Sequence, residues 1–257
     1  MSLAHTAWTW LERELDAWAE ADLKADFWWR DDDATQDSAA LERLLTISER
    51  GRVPVALAVI PAQVQSSLAQ RLQDCKRVSV LQHGYDHHSH AAPGQRKLEL
   101  GGLADRVGTL DNLRTGMNIL KQKFGPRFHP VLVPPWNRID SDLLKSLTPL
   151  GLRGLSAMRV RRAAYPADGL LQVNTHLDPI NWRHNSGFIG IYPAIAILIQ
   201  HLQARRTGYR EFEEPTGILS HHLVQNEAVW TFLEELLAAL DAHPAARWRD
   251  AASIWQA

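Results

Sequence analysis

Four histidines fall within eight residues of one another, at His83, His87, His88 and His90. Imidazole is a common ligand of Zn²⁺ and related divalent ions, and two histidines four residues apart can bind one ion if the backbone turns helically between them. Upstream, an acidic triplet at residues 31–33 can supply a third ligand. Three protein ligands leave coordination positions open for water and substrate, so the pattern predicts a catalytic metal site.

Each of these two segments also has a purely structural interpretation. Clustered histidines can form a solvated loop, and acidic residues after a strand often cap a helix or form a turn. Both segments, however, follow apolar runs typical of strands, at residues 25–29 and 78–81. Because α/β folds collect catalytic groups at the carboxyl ends of their strands, the shared position favours one functional site.

Apolar runs typical of strands alternate with amphipathic segments typical of helices along the whole chain. After an opening helix near residues 5–24, this alternation predicts a parallel sheet, either barrel-like or doubly wound. The predicted strands are near residues 25–30, 53–60, 78–82, 130–133, 154–158, 170–176 and 217–221.

Composition restricts the class of protein. The 257 residues, 45% of them hydrophobic, suit one large α/β domain, and a net charge of -1 gives no field for nucleic acid or an anionic membrane. The lone Cys75 excludes an internal disulfide. The first 24 residues lack the pattern of a secretory signal, and the apolar stretch 188–202 is too interrupted to span a bilayer. We therefore expect a cytoplasmic protein without a membrane span; the oligomeric state is left open.

Three further segments follow predicted strands. Two prolines, the second of them Pro135, precede Trp136 and would stiffen a turn that can aim backbone N–H groups. Asp178 and Trp182 follow another strand, and His221 ends the last. Taken singly, each is better explained as a packed turn, a core aromatic or a structural histidine.

In chain order, the five segments resemble the motifs of the polysaccharide deacetylase family, the carbohydrate esterases built on the NodB homology domain. The first family motif has two consecutive aspartates, a catalytic base and then a metal ligand. Asp31 and Asp32 match them, with Asp33 where a glycine is usual. The second motif has two ligand histidines, which His83 and His87 match.

The other three motifs are matched less closely. The third lacks its arginine, which contacts the base in the family, so Arg30 or Arg138 would have to replace it. The fourth resembles Asp178 and Trp182, at wider spacing, and the fifth, Leu-any-His, ends at His221.

The resemblance covers roughly residues 27–230 and implies one catalytic domain over 1–257. Its fold would be a distorted (β/α) barrel of about seven parallel strands, with the helix of residues 1–24 packed on it. It also implies a divalent ion, usually Zn²⁺ but sometimes another first-row metal, bound by Asp32 and the two motif histidines.

The implied reaction removes an acetyl or related acyl group from an N-acylated sugar or another small amide. Asp31 would be the base for a metal-activated water, and His221 the acid for the departing amine, with Asp178 orienting it. Oxyanion charge would fall on the metal and the backbone N–H of Trp136, while Arg138 is a candidate to contact the base.

Carbohydrate or another small molecule is therefore the expected partner, and Trp182, Tyr85 and Pro135 are expected to line its pocket.

Several alternatives remain open. A shifted register would make His87 and His90 the metal pair, His222 is a second candidate for the acid, and His88 has no assigned role. The chain is alternatively a catalytically silent, metal-stabilised carbohydrate-binding protein. A two-His-one-carboxylate Fe(II) enzyme fits the βα alternation less well.

Overall fold

The computed structural model describes residues 3–183, 187–210 and 213–255. A parallel sheet lies at the centre, and helices surround it. The helices are α1 (Leu3–Glu20), α2 (Ala39–Arg50), α3 (Ser66–Leu72), α4 (Arg106–Phe124), α5 (Leu144–Leu150), α6 (Ile191–Arg206), α7 (Glu227–Ala242) and α8 (Ala251–Ile254). The strands are β1 (Ala25–Ala34), β2 (Val55–Val59), β3 (Val78–His83), β4 (Phe128–Val133), β5 (Gly154–Leu155), β6 (Leu171–Gln172), β7 (Ile180–Asn181), β8 (Gly187–Phe188), β9 (Thr216–Ser220) and β10 (Ala246–Trp248).

The sheet closes into a barrel through the chain that follows β6. Strand β1 pairs in parallel with β2, β9 and the short β10, and the order continues from β2 through β3, β4 and β5 to β6. Leu177 then bridges in parallel to Ile218 of β9, and the N–H of Leu219 donates to the carbonyl of Leu177 at 2.8 Å. The ring therefore has seven parallel strands, which confirms the barrel and the seven strand positions expected from the sequence.

Strand β1 is buried along both faces, which explains its continuous apolar start. Phe27 and Trp29 pack in the cluster beneath the surrounding helices, whereas Trp28 packs inside the barrel with residues such as Leu81 and Val133. Because side chains alternate along a strand, Arg30 and Asp32 follow Trp28 on the inner face.

Several of the helices begin at side chains that accept backbone N–H groups. Ser38 caps α2, Asp105 caps α4 and Asn226 caps α7. Helix α1 packs through Leu11, Leu15 and other apolar side chains into the cluster beneath the helices. None of the helices in the described part of the chain has the length and apolar character needed to cross a membrane.

Closure of the barrel depends on Gly217, which contacts the segment between β6 and β7. A Cβ there would lie 2.5 Å from Trp28 Nε1 and 2.6 Å from the carbonyl oxygen of Asn174. We expect Gly217→Ala to lower the free energy of unfolding by about 1–3 kcal/mol, the usual effect of overpacking. Urea denaturation measures this change. Gly108→Ala, on α4, is the control: its Cβ would lie 3.1 Å from the flexible carboxylate of Asp105, so its effect should be smaller than that of Gly217→Ala. Equal stability of the two variants would contradict the prediction.

Candidate metal centre and catalytic site

The acidic triplet at the carboxyl end of β1 does not follow simple strand alternation. Asp31 pairs with Leu57 and Ala34 pairs with Val59, so β1 has one residue more than β2 across this interval. Asp33 adopts a left-handed conformation, with φ 71°. Such a bulge redirects one side chain. It turns Asp33 towards the histidine segment after β3.

Asp33, His83 and His87 form a cluster of possible metal ligands. Oδ1 of Asp33 lies 3.0 Å from Nε2 of His83 and 3.4 Å from Nε2 of His87. Nδ1 of His83 is 3.0 Å from the carbonyl of Val133, which can only accept, so the ring proton is on Nδ1. Nε2 of the neutral ring is then free to bind a metal, and these residues fit a divalent ion. The sequence assigned the carboxylate ligand to Asp32, one residue earlier.

Asp32 lies instead against the guanidinium of Arg30, two residues before it on the same face. Nε and Nη2 of Arg30 donate to its two carboxylate oxygens at 2.8 and 3.0 Å. The remaining donors of this fully buried arginine reach Ser156, the carbonyl of Ala157 and the side-chain oxygen of Asn137. Arg30 therefore contacts Asp32 and not Asp31, the residue that the motif resemblance assigned as the base.

Arg138 does not contact the acidic triplet. Its Nη1 donates to the carbonyl of Lys97 at 2.9 Å, on the loop that precedes α4.

Asp31 faces away from the metal-ligand cluster. Its carboxylate accepts hydrogen bonds from Ser220 Oγ at 2.6 Å and from the backbone N–H of His222 at 3.0 Å. Nδ1 of His222 lies 2.5 Å from the other oxygen, and both side chains are fully buried. Three donors hold this buried carboxylate on the side away from the metal-ligand cluster, whereas the motif resemblance assigned Asp31 as the base.

His221 lies across from Asp32, with Nε2 at 3.9 Å from Oδ2. The ring of Trp182 packs edge-on against it, with centroids 4.8 Å apart. Asp178 accepts hydrogen bonds from Trp182 Nε1 at 2.7 Å and from the N–H of Ile180. Nδ1 of His221 has no hydrogen-bond partner within the described chain. Asp178 therefore fixes Trp182 by a hydrogen bond, and it interacts with His221 through charge.

The turn after β4 brings Trp136 to the site. Its ring packs against His87 with centroids 4.5 Å apart, and Lys97 Nζ lies 5.5 Å from the ring. Pro135 is buried and lies against Gly84, so it supports the histidine segment. The side chain of Tyr85 is half-buried.

Non-glycine residues with positive φ concentrate at this site. Seven occur in the described residues, and four of them, Asp33, His87, Trp136 and Asn137, belong to the site. Left-handed backbone is costly for residues with a Cβ and persists where surrounding contacts impose it, commonly at functional sites. The histidine segment is therefore a strained loop and not the helical turn expected from its spacing.

Electrostatics at the cluster favour the ionised carboxylate. Without a bound ion, burial opposes this, but the hydrogen bond and the charge of protonated His83, whose own pKa Asp33 raises against the effect of burial, hold the pKa of Asp33 well below its usual range. A divalent ion would take the place of that proton and leave His83 neutral. Burial lowers the pKa of His87, helped by the charge of His83. Burial raises the pKa of Asp178, and it raises that of Glu99 to about 7.

A second group of possible ligands, His176, His201 and Glu214, is buried. The two rings stack with centroids 3.6 Å apart. The backbone N–H of Gly217 donates to Nδ1 of His176 at 2.9 Å, so the proton of the neutral ring is on Nε2, which faces Glu214 at 3.6 Å. With Nε2 protonated, His176 has no lone pair for a metal. This group fits a structural network and not a metal site.

His88 and His90 contact each other edge-to-face, with centroids 5.4 Å apart, and neither belongs to the metal-ligand cluster. Sequence reasoning placed the third ligand in the acidic triplet but assigned it to Asp32, and it missed Asn137 and Ser156 as partners of Arg30. Residues 28, 30 and 32 alternate along β1 and therefore share its inner face, and this alternation could have predicted that Asp32 lies beside Arg30. No sequence signal specified the bulge.

No protein-family model matches the chain, and no curated protein does. Solved structures do match. A putative polysaccharide deacetylase from Mycobacterium smegmatis has a TM-score of 0.60 at 17% identity, covering 87% of this chain and 86% of that one. The Bc1960 peptidoglycan N-acetylglucosamine deacetylase has a TM-score of 0.58 at 13% identity, covering 91% and 89%. A mutant of BA3943, described as a CE4 family pseudoenzyme with restored activity, has a TM-score of 0.55 at 12% identity, covering 91% and 68%. At these identities the likeness concerns the fold, and it confirms the fold that the motif resemblance implied.

The stacked histidines should make stability depend on pH. Burial lowers the pKa of His176 and lowers that of His201 to about 2. Below the unfolded-state pKa of about 6.5 the unfolded chain binds protons that the folded chain does not, so stability falls as pH decreases. We expect the free energy of unfolding of the wild type to fall more steeply than that of His201→Gln, by up to about 1.4 kcal/mol per pH unit.

Urea denaturation between pH 7.5 and 5 measures the two slopes. His88→Gln, at an exposed histidine, is the control and should keep the wild-type slope. Parallel curves for the wild type and His201→Gln would contradict the prediction.

Proposed function

We propose that this protein is a metal-dependent hydrolase that removes an acetyl or related acyl group from an N-acylated sugar. The observation that carries the proposal is the convergence of Asp33, His83 and His87 beside a carboxylate, Asp32, that Arg30 holds in place. A chain with the polysaccharide deacetylase fold and this arrangement has the groups that amide hydrolysis needs. Zn²⁺ or another first-row ion fits the two imidazoles and one carboxylate.

In this proposal the roles along the acidic triplet move one residue towards the carboxyl terminus. Asp33 is the metal ligand, Asp32 is the general base, and Asp31 supports the site through His222. A bound ion would polarise the acyl carbonyl and lower the pKa of water at the site. Asp32 accepts the proton of the attacking water.

Arg30 keeps Asp32 in a fixed orientation through two parallel hydrogen bonds. The same arginine reaches Asn137 in the turn that carries Trp136, at 2.7 Å. The base and the backbone N–H proposed to bind the oxyanion are thereby held by one guanidinium.

His221 is the proposed acid for the leaving amine. Its Nε2 lies 3.9 Å from the proposed base, Asp32, and its ring packs edge-on against Trp182. Trp182 is 50% exposed, which leaves part of its indole free to stack against the apolar face of a sugar. Tyr85 is a further candidate for the pocket wall.

A catalytically silent carbohydrate-binding protein remains the second candidate, since one of the structural neighbours is described as a pseudoenzyme. The absence of the third-motif arginine was the sequence argument for a protein without catalytic activity. The contact between Arg30 and Asp32 removes that argument and favours an active enzyme.

Three Asp→Asn substitutions distinguish two assignments of the triplet: Asp32 as base with Asp33 as ligand, as proposed here, or Asp31 as base with Asp32 as ligand, as the motif resemblance implied. Asp33→Asn should lose the metal, because an amide is a poor ligand for this ion. Asp32→Asn should keep the metal and lose about 10²–10⁴-fold in turnover, the usual worth of a general base. Asp31→Asn should lower stability and retain metal and turnover in the folded fraction.

Metal analysis and acetate release from N-acetylated sugars measure these outcomes. Loss of metal in Asp32→Asn, with turnover abolished in Asp31→Asn at full metal content, would contradict the proposal and support the assignment that the motif resemblance implied. Absence of metal and turnover in the wild-type protein would reject the proposed function.

His221→Ala should slow amide hydrolysis by about 10²–10⁴-fold, because an amine leaves poorly without a proton. Hydrolysis of an aryl acetate should be slowed much less, since a phenolate leaves without protonation. The ratio of the two rates, at unchanged metal content, is the measurement. His88→Ala is the control. Equal slowing of both substrates would show that His221 is not the acid.

A further inference from the structure

Glu99 is a buried carboxylate beside the metal-ligand cluster that the proposed reaction does not use. It is 4% exposed and lies on the loop between β3 and α4. Its Oε1 accepts the backbone N–H of Tyr85 at 2.6 Å, and the backbone N–H of His87 also interacts with the carboxylate. Glu99 therefore binds the main chain of the segment that carries a metal ligand.

The segment from Gly84 to His87 curves around this carboxylate. Gly84 has φ 53°, and a Cβ there would lie 2.6 Å from Glu99 Oε1 and 2.7 Å from Oε2. Glycine is thus required both by the backbone conformation and by the close approach of the carboxylate. His87, three residues later, has φ 60° without being glycine. Its conformation must be imposed by contacts, since it is intrinsically unfavourable.

The carbonyl groups of the same segment are held from the opposite side. The N–H of Ala62 donates to the carbonyl of Tyr85 at 2.9 Å, and the side-chain amide of Gln63 donates to the carbonyl of Asp86 at 2.8 Å. On the N–H side, Gly84 donates to the carbonyl of Val133 at 3.0 Å, and the N–H of Tyr85 depends on Glu99. The side chain of Glu99 completes the set of contacts that directs Nε2 of His87 towards Asp33.

We propose that Glu99 is a positioning residue for the metal centre. Its side chain binds the backbone of the His87 loop and so fixes the position of His87, one of the three proposed ligands. The inference rests on the proposed function, because it assumes that His87 is a ligand. Partners that orient metal ligands typically account for about 10–100-fold in metal affinity. Loss of the carboxylate should therefore weaken metal binding while the barrel still folds.

The test is the dissociation constant of Co²⁺ for metal-free protein, measured by chelator competition, together with the visible spectrum of the Co²⁺ form. Glu99→Ala should raise the dissociation constant by about 10–100-fold and alter the spectrum. Glu99→Gln keeps the shape and one acceptor oxygen, so it should fold and show an intermediate value. Gly84→Ala should also weaken binding, because its Cβ would displace the carboxylate.

Glu214→Gln is the matched control. Glu214 is also buried and also accepts a backbone N–H, that of Asn174 at 3.1 Å, but it belongs to the histidine network away from the metal centre. It should lower stability and leave the dissociation constant and the Co²⁺ spectrum unchanged. A merely structural role for Glu99 predicts that the two glutamate variants behave alike.

Unchanged affinity and spectrum in both folded Glu99 variants would overturn the inference while leaving the proposed function intact. Failure of the wild-type protein to bind Co²⁺ would overturn the proposed function first, and the two failures are therefore distinguishable.

Discussion

Alternation of side chains along β1, interrupted once by a bulge, is the constraint on which the site depends. It places Trp28, Arg30 and Asp32 on the inner face of the barrel and directs Asp31 outward towards Ser220 and His222. The extra residue before Ala34 then turns Asp33 towards the histidines. Three consecutive aspartates thereby acquire three different environments. A regular strand would have left Asp33 on the outer face, away from His83.

Arg30 illustrates how a buried charge is tolerated in the barrel. Removing an ion from water is costly unless its partners replace the lost hydration, and a guanidinium has five N–H donors to satisfy. Here the donors reach Asp32, Ser156, Asn137 and the carbonyl of Ala157. The arginine links β1, the residues just after β5 and the turn after β4, so one side chain connects the barrel interior to the proposed base.

The two histidine clusters differ in where the ring proton lies, and this difference decides their chemistry. His83 faces a backbone carbonyl with Nδ1, so Nε2 is left for a metal. His176 faces a backbone N–H with Nδ1, so Nε2 carries the proton and lies 3.6 Å from Glu214. Two imidazoles and one carboxylate at similar distances in space thus form a candidate metal centre in one place and a structural network in the other.

The sequence by itself determined the positions of the seven barrel strands, because apolar periodicity reports burial directly. It also determined which segments meet, since parallel strands bring their carboxyl ends together. That rule predicts that the site contains His83 and His87, together with Trp182 and His221.

Only the tertiary structure decided which aspartate faces which partner, because a bulge of one residue reverses the facing of a side chain and has no signature in residue type. It likewise decided that Arg30 and not Arg138 reaches the acidic triplet, that Pro135 is buried, and that Asp178 binds Trp182. These contacts join residues far apart in the chain, and their geometry depends on how the barrel closes.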